Sequence, residues 1–189
     1  MEIKLLHLYD DVMNLYGEYA NVALLARYLK DLGHGVSVDT LSLYEEKDIS
    51  AYDFYYMGAG TERKMKLMLP ELMKYQKTLQ KLCGDGKVML FTGNACDLLG
   101  KKITAADGTV YDTLAIGSFE SAETNRRITG DCLAKLEGEL LVGFINKCSS
   151  VENVTSPLFT LTMKPESFDF ETEGIHCKNL FGTQVIGPV

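Results

Sequence analysis

Residues 87–100 read Lys87-Val88-Met89-Leu90-Phe91-Thr92-Gly93-Asn94-Ala95-Cys96-Asp97-Leu98-Leu99-Gly100. An apolar run meets a glycine turn, and a short helical segment begins immediately after it. Strand, elbow and helix start in that order are what many α/β folds use to raise one residue above a sheet. A residue held there also meets the positive end of the following helix. In this chain it is Gly93, which brings no side chain.

The same alternation precedes the elbow. Ile3–Tyr9 predicts a first strand, and Asn21–Leu32 a helix with Val22, Leu25, Leu29 and Leu32 at helical spacing, stopped by Gly33 and Gly35. Val36–Leu41 alternates as a second strand, and Phe54–Met57 is a third, bounded by Gly58-Ala59-Gly60. Thr61 supplies a helix cap. Pro70, tolerated in a first turn and not inside, predicts the opening of a second helix that runs to Leu82. Lys87–Phe91 is the fourth strand and Asn94–Leu99 a short helix. Strand and helix taking turns imply an α/β fold with a parallel sheet covered on both faces.

Beyond Gly100, glycines at 108, 117, 130, 138 and 143 separate short apolar runs such as Thr109–Ile116, Glu139–Phe144 and Leu158–Met163. These predict strands and hairpins that extend the same sheet, in one domain spanning residues 1–189. The sequence stops at Val189 after a strand-like segment with no closing helix, which predicts a missing C-terminal tail.

Composition narrows the function classes. A formal charge of −7, with lysines interleaved among acidic residues, excludes a general nucleic-acid surface. No run approaches the roughly 18 apolar residues of a membrane-spanning helix, and the N-terminus is too short for a secretory signal. Five cysteines, an odd number without a C-x-x-C pair, are the usage of a reducing compartment and predict a cytoplasmic protein.

Few constellations suggest chemistry. Gly58-Ala59-Gly60-Thr61-Glu62-Arg63 joins a strand to a helix, where glycines and a helix end favour an anion, although a plain tight turn fits equally. Asp10-Asp11 follows the first strand, but the third strand ends in Met57-Gly58 and offers no further carboxylate, so the pair reads as a solvated turn. His7, His34 and His176 lack metal-like spacing, so neither a metal nor a cofactor is predicted. Cys96 lies three residues beyond the turn and reads as a small buried hydrophobe.

Together these segments resemble the class I glutamine amidotransferase domain of the cobyric acid synthase type, and in particular the glutaminase subunits of lipid II isoglutaminyl synthases. Leu8-Tyr9-Asp10-Asp11-Val12-Met13-Asn14-Leu15-Tyr16-Gly17-Glu18-Tyr19-Ala20-Asn21, with Arg27 beyond it, is similar to the opening L-Y-P-x-x-M-N-x-Y-G-D-x-G-N and its arginine. Gly58–Arg63 resembles the oxyanion loop G-G-G-Q-D-R, departing at Ala59 and Thr61. Leu98-Leu99-Gly100 matches the end of C-G-G-Y-Q-L-L-G, and Phe181-Gly182-Thr183 with Gly187-Pro188 matches G-T-Y-L-H-G-P.

The resemblance implies a mostly parallel, doubly wound, flavodoxin-like sheet with helices on both faces and an antiparallel extension in the second half. It also implies a cysteine thiolate that attacks glutamine, a histidine base, and ammonia delivered to a Mur-ligase-like, ATP-using synthetase subunit. Here the nucleophile position is Gly93 and the histidine position Ile186. Gly143-Phe144-Ile145-Asn146-Lys147 stands for G-F-E-N-H, Ser149-Ser150-Val151 for G-R-T, Gln184 for Tyr and Asp97 for Gln. The expectation is a catalytically silent amidotransferase-like protein with a pocket at Gly58, Ala59, Gly60, Thr61, Arg63, Asn94, Ala95 and Cys96. Two alternatives stand beside it: a hydrolase using Cys96 or Cys148 as a displaced nucleophile, and a module binding glutamine or a small anion.

Overall fold

The computed structural model describes residues 2–187, so Pro188 of the closing motif and the predicted break at Val189 lie outside the described residues. The first sheet is built from β1 (Glu2–Leu8), β2 (Gly35–Leu41), β3 (Phe54–Met57) and β4 (Val88–Thr92). In space they run β2-β1-β3-β4, all parallel. This is the doubly wound arrangement that the strand–helix alternation implied.

Side chains on these strands alternate between two apolar layers, as the period of a strand requires. Leu6, Leu8, Tyr55, Met57, Met89 and Phe91 face one layer. Leu5, Tyr56 and the partly buried Leu90 face the other. Helix α1 (Tyr19–Asp31) covers the second layer through Val22 and Ala26. Helices α2 (Glu62–Met73) and α3 (Gln76–Gly84) cover the first, α2 through Met65, Met68, Leu69 and Leu72. Thr61 caps α2 by accepting from the Lys64 N–H at 3.2 Å.

Pro70 does not open a helix. It sits in the third turn of α2 with its ring exposed. A proline inside a helix costs about 3 kcal/mol. Burial of the four apolar residues on the opposite face, at about 1.5–3 kcal/mol each, outweighs that cost. The helix nevertheless ends at Met73, and the chain bends through Lys74 and Tyr75 into α3.

The second half departs further from expectation. Only β11 (Ile175–Cys177) and β12 (Leu180–Thr183) join the first sheet, β12 parallel beside β4 and β11 antiparallel at the edge. The other strands form a second sheet and do not extend the first. It contains β5 (Lys102–Thr104), β6 (Val110–Asp112), β7 (Glu120–Leu136), β8 (Glu139–Glu152), β9 (Phe159–Met163), β10 (Thr172–Glu173) and β13 (Val185–Ile186). The run at Thr109–Ile116 yields only the three residues of β6. Long antiparallel strands β7 and β8 dominate, joined through Glu137 and Gly138, both with positive φ. Their core holds Cys132, Ala134, Ile145, Leu161, Phe168 and Val185. No helix among the described residues is long and apolar enough to cross a membrane.

Candidate functional site

The elbow forms where β4 ends. Gly93 turns with φ +58°, a left-handed conformation in which a side chain is strained, and residues 93–99 continue as a 3₁₀ helix instead of an α-helix. The parallel neighbour β3 ends at Met57, so the Gly58-Ala59-Gly60 loop lies directly beside the elbow. Asn94 ties the two loops together. Its Oδ1 accepts from the Gly60 N–H at 2.9 Å, and its Nδ2 donates to the Gly60 carbonyl at 2.8 Å. One of the loop's backbone N–H groups, to which the family resemblance assigns an oxyanion, is thereby already engaged.

The space above Gly93 is also filled. A Cβ built there would lie 2.6 Å from the Ala59 Cβ and 3.4 Å from Ile186 Cγ2. Ile186 is held on β13, whose Val185 pairs with Ile145 and whose Ile186 pairs with Phe144 of β8. The positions that the resemblance gives to a histidine and a carboxylate are thus two buried isoleucines on paired strands.

A cavity of about 230 Å³ opens beside the elbow, lined by Ala59, Gly60, Thr61 and Asn94 among others. Of the other residues expected there, Gly58 is buried against Glu18, Arg63 is exposed, and Ala95 packs in the core. Cys96 lines a different cavity. On the far wall of the elbow cavity Glu62 Oε1 accepts from Arg127 Nη2 at 2.9 Å and from Cys148 Sγ at 2.9 Å. Asn146 receives a bond from Arg127 at 2.9 Å and donates one of 2.8 Å to Tyr16. Arg127 was missed in the sequence because it lies in a polar stretch of β7 with no periodicity.

Beneath the elbow, Glu18 is buried in a polar network of Tyr56, Thr92 and Asn21. Its Oε2 accepts from Tyr56 at 2.6 Å and from Thr92 Oγ1, while Asn21 donates to the Tyr56 hydroxyl at 2.7 Å. Glu18 and Asn21 both belong to the opening motif, so that motif supports the ends of β3 and β4. Asp10 and Asp11 lie in the turn after β1, and Asp11 accepts from the Leu43 N–H at 3.1 Å.

Neither cysteine considered as a displaced nucleophile is activated. Complete burial pushes the Cys96 thiol well up, reinforced by Glu173 and Asp97. Burial and then the Glu62 carboxylate push Cys148 up to about 12. A thiolate is the reactive form. Iodoacetamide at pH 7–8 should therefore label both slowly, with rates still climbing at pH 9. Mass spectrometry that found either thiol modified as fast as free cysteine would contradict this. The described residues hold no cluster of His, Cys, Asp and Glu suited to a metal ion.

Four departures from the family pattern meet in one buried network. Asp97 accepts from Ser121 at 3.0 Å, from Ser149 at 2.8 Å and from Gln184 Nε2 at 2.8 Å. Lys147 supplies the nearby positive charge. Residues 97, 147, 149 and 184 were each read separately in the sequence, and only the fold brings them together.

Comparison with known proteins agrees with this geometry. Residues 4–188 match the CobB/CobQ-like glutamine amidotransferase domain. The chain is 30% identical over 190 residues to the lipid II isoglutaminyl synthase (glutamine-hydrolyzing) subunit GatD of Staphylococcus aureus, covering all of this chain and 78% of that one. It is 27% identical to the GatD subunit of Streptococcus pneumoniae, covering 75% of that protein. Among solved structures, PurLQS from Thermotoga maritima superposes with a TM-score of 0.59 at 13% identity, covering 98% of this chain and 88% of that one. A glutamine amidotransferase from the same organism gives 0.60 at 11% identity, over 97% and 75% of the two chains. These two structural likenesses concern the fold alone. The chain belongs to the CobB/CobQ-like glutamine amidotransferase domain family.

Proposed function

We propose that this chain is a non-hydrolysing amidotransferase-like subunit, one domain that keeps the family shell without the family reaction. The observation that carries this reading is the filled space at the elbow, where the Ala59 methyl stands in the place of a side chain at position 93 and Ile186 packs against it. A family nucleophile requires a thiolate, a base and free oxyanion donors together. Here position 93 is glycine, position 186 is isoleucine, and the Gly60 N–H is bonded to Asn94. Its partner, on this reading, is an ATP-using synthetase subunit of Mur-ligase type, because the GatD relatives are named as subunits of a synthase.

Purified protein, alone and with a candidate synthetase subunit, should release no ammonia from glutamine above the protein-free background. Glutamine-dependent turnover in either preparation would overturn the proposal. The surviving cavity of about 230 Å³ favours one second reading, in which glutamine or a small anion binds there without turnover. A rise in melting temperature with glutamine or phosphate that disappears in Arg127→Ala supports it.

A further inference from the structure

A larger cavity, of about 530 Å³, lies between the two sheets and shares only Lys147 with the elbow cavity. That volume falls within the range of small-molecule sites, roughly 300–1,000 Å³. Its wall contains a buried acceptor that the protein itself leaves unused, and an ammonium that sits near Asp97 and Glu173 without a hydrogen bond to either among the described residues. Gln184, 2% exposed, is fixed from two sides: its Nε2 donates to Asp97 at 2.8 Å and its backbone N–H to Glu173 Oε1 at 2.6 Å. Its Oε1 has no hydrogen-bond partner among the described residues. An unpaired buried amide oxygen is costly, and native proteins seldom retain one without a use.

Lys147 is the complementary case. It is 7% exposed and its Nζ stands 5.0 Å over the Phe168 ring, with no hydrogen bond to that nitrogen among the described residues. Glu173, also buried, adds a carboxylate to the same wall. The rest of the lining combines Phe119, Phe168 and Phe170, the last two edge to face at 6.1 Å, with aliphatic Val151, Val154 and Ile175 and a polar side of Glu152, Asn153 and Thr172.

An anionic group suits Lys147, a donor suits Gln184 Oε1 and Glu173, and an apolar body suits the phenylalanines. We propose that this cavity binds a free α-amino acid with an aromatic or other apolar side chain. Its carboxylate meets Lys147, and its ammonium meets Gln184 and Glu173. The site does not depend on the elbow, so its occupancy and the absence of glutaminase activity are separate matters.

Calorimetric titration tests this with L-phenylalanine, 3-phenylpropionate and phenethylamine, the last two each lacking one charged group. L-Phenylalanine should bind with a Kd of about 1 mM or tighter. Both analogues should bind at least about ten-fold more weakly, as loss of one charged contact implies. Lys147→Met and Gln184→Leu should each weaken L-phenylalanine by a similar factor. Thr172→Trp, an exposed rim position, should block binding while leaving the buried network untouched, and its circular dichroism melt confirms folding. Absence of L-phenylalanine binding at about 10 mM, equal binding of either analogue, or full binding by Thr172→Trp would each overturn the proposal.

Discussion

Gly93→Cys should lower stability by about 2–5 kcal/mol, read from urea denaturation. Two effects add. The backbone at φ +58° penalises any side chain by roughly 1–2 kcal/mol. The new Cβ would also meet the Ala59 Cβ at 2.6 Å, and overpacking of this kind costs about 1–3 kcal/mol. Ala59→Gly on the same chain removes the second effect and leaves the first. A double-mutant cycle should therefore show a favourable coupling of about 1–3 kcal/mol between positions 59 and 93. Strictly additive effects would show that Ala59 does not occupy the nucleophile's space. On the proposed reading, a return to the family reaction would take at least Ala59→Gly, Gly93→Cys and Ile186→His together.

Asp97→Ala should be the most damaging single truncation near the site, at about 3–5 kcal/mol. It strands the hydroxyls of Ser121 and Ser149 and the Gln184 amide, all buried, and leaves Lys147 without its neighbouring carboxylate. Asp97→Asn keeps the shape and one acceptor and should lose clearly less. It should also change the response to pH. Burial holds the Asp97 carboxyl above its ordinary 3.8, although Lys147 and three hydrogen bonds pull the other way.

A folded-state pKa above the unfolded one means that the folded protein holds the extra proton. Stability from this group is thus greatest below pH 4 and falls as pH rises through the folded pKa. Glu173 acts in the same direction from 4.5, again through burial. His7 acts oppositely, since burial lowers it from 6.5 to about 4 and favours the folded state at higher pH. The difference between parent and Asp97→Asn isolates Asp97. It should diminish the loss of stability between pH 4 and 7, and an unchanged difference across that range would refute the assignment.

The parallel half of the molecule was legible because its signals are local. Apolar runs, the Thr61 cap and the glycines after β3 and β4 fix β1 to β4 and α1 with little help from distant residues. Pro70 misled because the apolar spacing of Met65, Met68, Leu69 and Leu72 outweighs one proline. The second sheet was read only in fragments. Strand β7 includes Glu123-Thr124-Asn125-Arg126-Arg127, a polar stretch where its register with β8 breaks between Glu123 and Ile128 and where Arg127 bonds Glu62 and Asn146 across the elbow cavity, so it lacks an apolar alternation. The elbow itself was visible as Gly93, and so was the loss at Ile186. That Ala59 fills the resulting space, and that Asp97, Lys147, Ser149 and Gln184 converge, depends on residues far apart in sequence.

One feature of the strand order bears on how the chain acquires its structure during synthesis. Strand β12 is inserted beside β4, and after the single residue Gln184 β13 closes onto β8. Until residues 180–186 have left the ribosome, β4 remains an open edge and the second sheet lacks one of its strands. The nascent protein therefore waits with the outer edge of β4 unpaired, in a state exposed to misassembly. Contacts across such sequence separations also make for slow folding.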